Sequence, residues 1–201
     1  MLPLWMAFAF GAALLVATVT MAMVGTDASG TDAALAATAR LSFLFFWPAY
    51  VGGAMAGLFG SAFQPIKRYG RELGLSFAVA HLVHIALVIW LCFIGAAPPV
   101  SVFIFFGIAA VWTYLLALFS LGRMQQLLSP KAWRLVRAVG LNYIAYAFAL
   151  DFFSHPLRGS LRHLAAYLPF IFLSVVGPIL RLVAFVQRNR NYLKHAFVRG
   201  G

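Results

Sequence analysis

Long apolar runs alternate with short polar segments along the whole chain. Six runs approach the roughly 20 residues that a helix needs to cross a hydrocarbon core about 30 Å thick. They lie at about 2–24, 41–62, 74–95, 102–121, 138–153 and 167–186. No ten-residue segment alternates apolar and polar positions as the strands of a membrane β-barrel do. The pattern therefore predicts an all-α fold, a polytopic bundle of six transmembrane helices that forms one domain over residues 1–201.

The composition agrees with a chain that lies in lipid. Hydrophobic residues make up 64% of the sequence and charged residues only 9%, whereas a soluble domain carries about 25% charged residues. These polar side chains are too few to cover a surface that faces water, so a soluble domain is excluded.

We interpret the first apolar run as a transmembrane helix and not as a signal peptide, because it has neither a basic segment before it nor a nearby A-x-A-like cleavage site. Cleavage there would be the alternative and would leave five helices. The segment "GTDASGTDAALAATAR" that follows is predicted to be a polar outer loop.

The net charge of +11 is distributed in a way that predicts orientation rather than nucleic-acid binding. Basic residues are concentrated on alternate connections, which is the positive-inside pattern of membrane proteins. Both termini are therefore predicted to be cytoplasmic, with the basic residues close to anionic headgroups of the lipid bilayer. Eleven of the fifteen Lys and Arg residues lie on the inner connections and the tail: Lys67, Arg68, Arg71, Arg123, Lys131, Arg134, Arg137, Arg188, Arg190, Lys194 and Arg199.

Two histidines stand inside the third apolar run, in "AHLVHIALVIW". Ionisable side chains at bilayer depth are costly and mark candidate functional sites. His81 and His84 are three residues apart, so on a helix they differ by about 60° in direction and point to roughly the same side. They would not clamp one haem iron from opposite faces. A ligand role and a hydrogen bond to a neighbouring Tyr, Ser or Asn both remain open.

Other intramembrane residues have two interpretations each. Gly53 and Gly57 form a G-x-x-x-G spacing, and Gly52, Ala56 and Gly60 continue this series of small residues. The series favours close helix packing over a flat wall for a tetrapyrrole. Arg181 follows the Gly177–Pro178 break. Its long side chain is interpreted as an anchor near the membrane surface, with a cofactor propionate as the alternative partner.

The order of motifs resembles the ferric reductase-like transmembrane domain family. The stretch "RELGLSFAVAHLVH", residues 71–84, is similar to the start of that family's third helix, whose histidine falls ten residues after a glycine. Here His84 falls ten residues after Gly74. The segments "TYLLALFS" and "KAWRLVRAVGLNYIAYAFAL" resemble the family's fourth and fifth helices. The closest likeness is to the haem-binding membrane subunit of the bacterial methionine sulfoxide reductase system.

The resemblance implies haem b as cofactor, with His84 as an axial ligand of its iron and His81 as a neighbouring or alternative one. It also implies the bacterial inner membrane, and a redox partner protein or a quinone. The histidines of the family's fifth helix are missing, since Val136 and Ala149 stand at those positions. Tyr146 or Tyr143, near the matching height on that helix, is a candidate second ligand, because tyrosine is a known haem ligand. We further expect His84 to face the interior of the bundle, towards the fifth membrane-spanning helix, and to tolerate substitution less well than His81.

Two functions of different kinds follow. The first is a haem-binding subunit that transfers electrons, at most the membrane part of an oxidoreductase. The second is a structural or interaction subunit that kept the bundle without haem. A small transporter is weaker, since the two halves of the chain show no matching interrupted helices. A nucleotide site is not encoded, because the chain has neither a Walker loop nor a G-x-G-x-x-G motif.

Overall fold

The computed structural model describes residues 2–121, 124–154 and 161–199, and these residues fold into helices joined by short connections. Seven α-helices follow in order: α1 (Leu2–Val24), α2 (Ala28–Phe59), α3 (Gln64–Arg68), α4 (Gly70–Phe93), α5 (Val100–Ser120), α6 (Pro130–Ser154) and α7 (Leu161–Arg199). Short 3₁₀ turns occupy Gly60–Phe63 and Met124–Leu127. The described residues contain no β-strand, so the predicted all-α class is confirmed.

Six helical segments of the described chain are long and apolar enough to span a membrane. They correspond to the six predicted runs, and the bounds of α1 agree with the prediction. Large apolar side chains such as Phe8, Val111 and Phe172 point outward and are more than half exposed. An outward apolar surface on a helical bundle is what lipid contact requires.

The predicted outer loop at residues 25–40 is wrong, because α2 already begins at Ala28. Asp27 caps the helix by accepting a hydrogen bond from the Gly30 amide at 2.9 Å, and the alanine-rich sequence that follows has high helix propensity. The polar residues Thr31 and Thr38 are fully buried. Their hydroxyls donate to the carbonyls of Asp27 and Ala34, one turn earlier. The segment looked like a loop because its polar residues face the bundle interior.

Helix α6 begins eight residues before the predicted start at 138. Pro130 occupies its first position, where a missing amide hydrogen has no cost, and the Ser129 hydroxyl accepts a hydrogen bond from the Ala132 amide at 3.2 Å. Lys131, Arg134 and Arg137 therefore lie on the first turns of a helix and not in a connection. Helix α7 likewise extends beyond the predicted 167–186 at both ends.

Two clusters of buried residues form the core. On one side, α1 and α4 meet through small residues, with Ala9, Ala13 and Ala17 packing near Ala80 and Val83. On the other side, aromatic rings fill the space between α2, α4, α6 and α7. This aromatic core consists of Phe43, Phe46, Tyr50, Phe77, Phe148, Phe152 and Tyr167. Helix α2 contributes to both clusters and is the central element of the fold.

Candidate functional site

His81 and His84 lie side by side on α4, as their spacing predicts. Their ring centroids are 5.0 Å apart and their planes differ by 12°. The other side of His81 contacts Phe77 at 5.6 Å, and Tyr114 of α5 lies 6.4 Å away. Thr38 of α2 completes the group by contacting His84. We call Thr38, His81, His84 and Tyr114 the histidine cluster.

The hydrogen bond to Thr38 indicates which nitrogen of the His84 ring carries the proton. Oγ1 of Thr38 lies 3.1 Å from Nδ1 of His84. The single hydroxyl proton of Thr38 is donated to the Ala34 carbonyl, which is only 2.8 Å away. Oγ1 is therefore assigned as the acceptor from His84, an arrangement in which Nδ1 carries the proton and Nε2 the lone pair of the neutral ring. His84 lies inside the bundle, but it faces α2 and not the fifth membrane-spanning helix, α6, because its hydrogen-bond partner Thr38 belongs to α2.

Two other polar atoms of the histidine cluster form no hydrogen bond with the described residues. Nδ1 of His81 and the hydroxyl oxygen of Tyr114 are both buried, and neither has a hydrogen-bond partner among the described residues. A buried polar atom without a partner is uncommon and costs free energy. Sequence reasoning did not select Thr38, because it assigned that residue to a loop.

The residues around His84 do not fit a haem with two axial ligands. Such ligands approach the iron from opposite faces, whereas His81 and His84 share one face of α4 with nearly parallel rings. Between α4 and α6, where the resemblance would place the group, Phe77 contacts Phe46 at 5.2 Å and Phe148 at 5.9 Å. The described residues contain no group of three His, Cys, Asp or Glu that could hold a metal ion.

The structure does not bring Tyr146 to the histidine cluster. Its ring is 55% exposed and contacts Phe105 of α5 at 5.8 Å. Its neighbour Tyr143 donates a hydrogen bond to the Phe105 carbonyl at 3.1 Å. Both tyrosines therefore pack against α5, and no contact of Tyr146 supports its suggested ligand role.

Arg181 belongs to a second polar group, which we call the tyrosine cluster: Tyr50, Asn142 and Arg181. The Arg181 guanidinium carbon lies 4.3 Å from the centre of the Tyr50 ring, and its Nη1 donates to the Tyr50 carbonyl at 3.4 Å. The Tyr50 hydroxyl donates to Oδ1 of Asn142 at 2.8 Å. Arg181 thus links α7 to α2 through Tyr50, and Tyr50 in turn links α2 to α6 through Asn142.

The predicted close packing of Gly53, Gly57 and Gly60 is wrong. A Cβ atom built on any of the three would meet nothing within 4 Å, and Gly53 and Gly57 are exposed. Gly52, one residue away, is the buried glycine: its Cβ would lie 2.9 Å from the Ile66 side chain and 3.2 Å from the Ile66 backbone. The close contact of α2 is therefore with α3 and uses the adjacent helix face.

Comparisons of the chain with protein-family models, with curated proteins and with solved structures find no match.

Proposed function

We propose that this chain is a multi-pass membrane protein of the ferric reductase-like kind that kept the helical bundle and acts as a structural or interaction subunit without haem. The observation that carries this proposal is the aromatic packing between α4 and α6. Phe77 contacts Phe46 and Phe148, so aromatic rings occupy part of the space in which a haem ligated from both helices would lie. The absence of histidines from α6 supports the same conclusion.

The second candidate is a haem-binding electron-transfer subunit that works with a separate redox protein or a quinone. One observation favours it. The hydrogen bond to Thr38 holds Nδ1 of His84 and leaves the Nε2 lone pair free, and metal-bound histidines are commonly held through their other nitrogen in this way. His84 would then be the one protein ligand of haem b, which is less than a low-spin electron-transfer haem requires.

An absorption spectrum separates the two candidates. The full chain is expressed with a haem precursor in the medium, purified in a mild detergent and reduced with dithionite. We expect no Soret band above that of a His81→Phe/His84→Phe double variant prepared in parallel. A Soret band with sharp α and β bands that disappears in the variant would overturn the proposal in favour of the electron-transfer subunit.

We also propose that the protein lies in the bacterial inner membrane with both termini in the cytoplasm. The support is the distribution of basic residues, since Lys67, Arg71 and Arg137 lie at one end of the bundle. After Cys92, which is exposed, is replaced by alanine, single cysteines at Thr26 and Ser129 are labelled with a membrane-impermeant maleimide. Labelling of intact spheroplasts at Thr26 alone is expected, and labelling at Ser129 alone would reverse the orientation.

A further inference from the structure

A cavity opens at the end of the bundle where α4 and α6 begin and α5 ends. Its volume is about 300 Å³. Four cationic side chains line it: Lys67, Arg68, Arg71 and Arg137. All four residues are exposed. We call this cavity the basic pocket.

The lining of the basic pocket contains no acidic side chain, and the nearest carboxylate along the chain is that of Glu72 in the first turn of α4. None of the four cations forms an ion pair within the described part of the chain. Arg71 is held in place, since its Nε donates to the Ser120 carbonyl at the end of α5 at 2.9 Å. This bond leaves the two terminal nitrogens of its guanidinium group free to bind an anion.

The backbone adds to the positive potential. Helix α4 starts at the pocket, where Gly70 is part of the lining, and no side chain caps its first amides. Unpaired amides at a helix start favour a bound anion. This feature reinforces the four cations and would not define a site without them.

The inner part of the basic pocket is apolar. Phe77 and Ile144 lie seven and fourteen residues into α4 and α6, about 10 and 20 Å from the helix starts at 1.5 Å per residue. Phe46 and Leu116 complete this inner wall. A cavity that is cationic at its mouth and apolar at its depth matches an amphiphile with an anionic head.

We infer that the basic pocket is a binding site for the phosphate headgroup of an anionic phospholipid, whose acyl chain lies against Phe46, Phe77 and Leu116. Basic pockets between transmembrane helices are known to bind such headgroups. Free phosphate shares the head chemistry but would leave the apolar wall without a partner. The site is independent of whether the chain carries haem.

The test measures lipid binding to the full purified chain by native mass spectrometry and by the thermal midpoint in detergent. Phosphatidylglycerol, phosphatidylcholine with the same acyl chains, and inorganic phosphate are added separately. We expect one tightly retained phosphatidylglycerol and a raised midpoint, with no such effect of the other two. Equal effects of phosphatidylcholine would overturn the site. An equal effect of inorganic phosphate would overturn the lipid as its occupant.

Two variants locate the binding. Arg68→Gln/Arg137→Gln should weaken phosphatidylglycerol binding about 25-fold, because each cation near an anionic headgroup contributes roughly fivefold. Lys131→Gln/Arg134→Gln, which removes two exposed charges of α6 outside the lining, is the matched control and should bind normally. Equal weakening by both double variants would show general surface attraction and would overturn the pocket.

Gly74→Leu tests the pocket without changing any charge. Gly74 lines the cavity, and a Cβ atom there would meet nothing within 4 Å, so the leucine extends into open space. We expect the variant to fold and to lose phosphatidylglycerol binding, whereas Gly57→Leu should keep it. Normal binding by folded Gly74→Leu would contradict the proposal. If neither pocket variant folds, the wild-type chain still provides a test, since salt should weaken its binding of phosphatidylglycerol.

Discussion

The histidine cluster and the tyrosine cluster both place polar side chains between helices of the same bundle, yet they differ in how those side chains are hydrogen-bonded. In the tyrosine cluster, hydrogen bonds join Tyr50 to Asn142 and to Arg181. In the histidine cluster, the interhelical hydrogen bonds are those of His84 to Thr38 and to the Leu35 backbone, both on α2. Nδ1 of His81 and the Tyr114 hydroxyl have no hydrogen-bond partner among the described residues.

This difference separates a structural role from a candidate functional one. Interhelical hydrogen bonds stabilise a membrane bundle modestly, by about 0.6 kcal/mol on average. This stabilisation is enough to explain why a hydrogen-bonded polar side chain lies inside the bundle. Unsatisfied buried groups destabilise the fold. Nδ1 of His81 on α4 and the Tyr114 hydroxyl on α5 are such groups, and so are side-chain atoms of Arg40, Ser42, Glu72 and Ser76. The missing partners therefore make the histidine cluster a candidate site without defining one.

The largest effect should follow from removal of the Tyr50 side chain. Tyr50 is 5% exposed, stacks on Phe46 at 5.3 Å and lies under the Arg181 guanidinium. Tyr50→Ala should lower the free energy of unfolding by about 3–5 kcal/mol, as for other large aromatic truncations. SDS titration in mixed micelles measures this quantity. Tyr146→Ala, at a 55% exposed position, is the control, and an equal loss in both variants would contradict a central role of the tyrosine cluster.

A smaller effect is expected when only the hydrogen bond of the tyrosine cluster is removed. Tyr50→Phe deletes the hydroxyl that donates to Asn142 and keeps the ring on Phe46 and Arg181. A double-mutant cycle of Tyr50→Phe with Asn142→Leu should give a coupling free energy of about 0.6–1.7 kcal/mol. A coupling near zero in the same SDS titration would show that the two side chains do not stabilise each other.

The two histidines should respond in opposite directions. His84→Ala should destabilise the fold by about 1 kcal/mol, because it breaks the bond to Thr38. His81→Phe should leave stability unchanged or raise it, since it removes an unpaired buried nitrogen and keeps a ring against Phe77. Thermal midpoints in detergent measure both effects. A drop for His81→Phe as large as for His84→Ala would mean that His81 has a polar partner, such as a bound ligand.

The sequence was sufficient for the helical architecture because apolar run length determines whether a helix spans a membrane. The bounds of α1 and the shared face of His81 and His84 follow from length and from helical periodicity. The start of α2 was not predictable in this way. Its first turns contain buried threonines, and polarity alone does not distinguish a solvent-facing loop from a helix whose polar face is covered by a neighbour.

The partners of the site residues depended on that start. Thr38 is the partner of His84 only because α2 extends back past residue 40 and packs along α4. Spacing within α4 predicts that two rings share a face, but it does not determine which neighbouring helix that face meets. The same limit applies to α2. The G-x-x-x-G motif predicted that the helix face with Gly53 packs closely, whereas in the structure the face with Gly52 packs against Ile66.

The smallest effect on stability is expected for Gly57→Leu, which serves as the reference variant for substitutions in both clusters. Gly57 is exposed, and a side chain there would meet no protein atom within 4 Å of its Cβ. Gly57→Leu should therefore change the free energy of unfolding by no more than about 0.5 kcal/mol, as for surface positions in general. Gly52→Leu is the matched variant on the neighbouring face and should destabilise strongly, because its Cβ already approaches the Ile66 backbone at 3.2 Å. SDS titration of the two variants measures the difference. A large loss for Gly57→Leu would show that a second copy or another subunit covers this face, since the chain itself leaves it open.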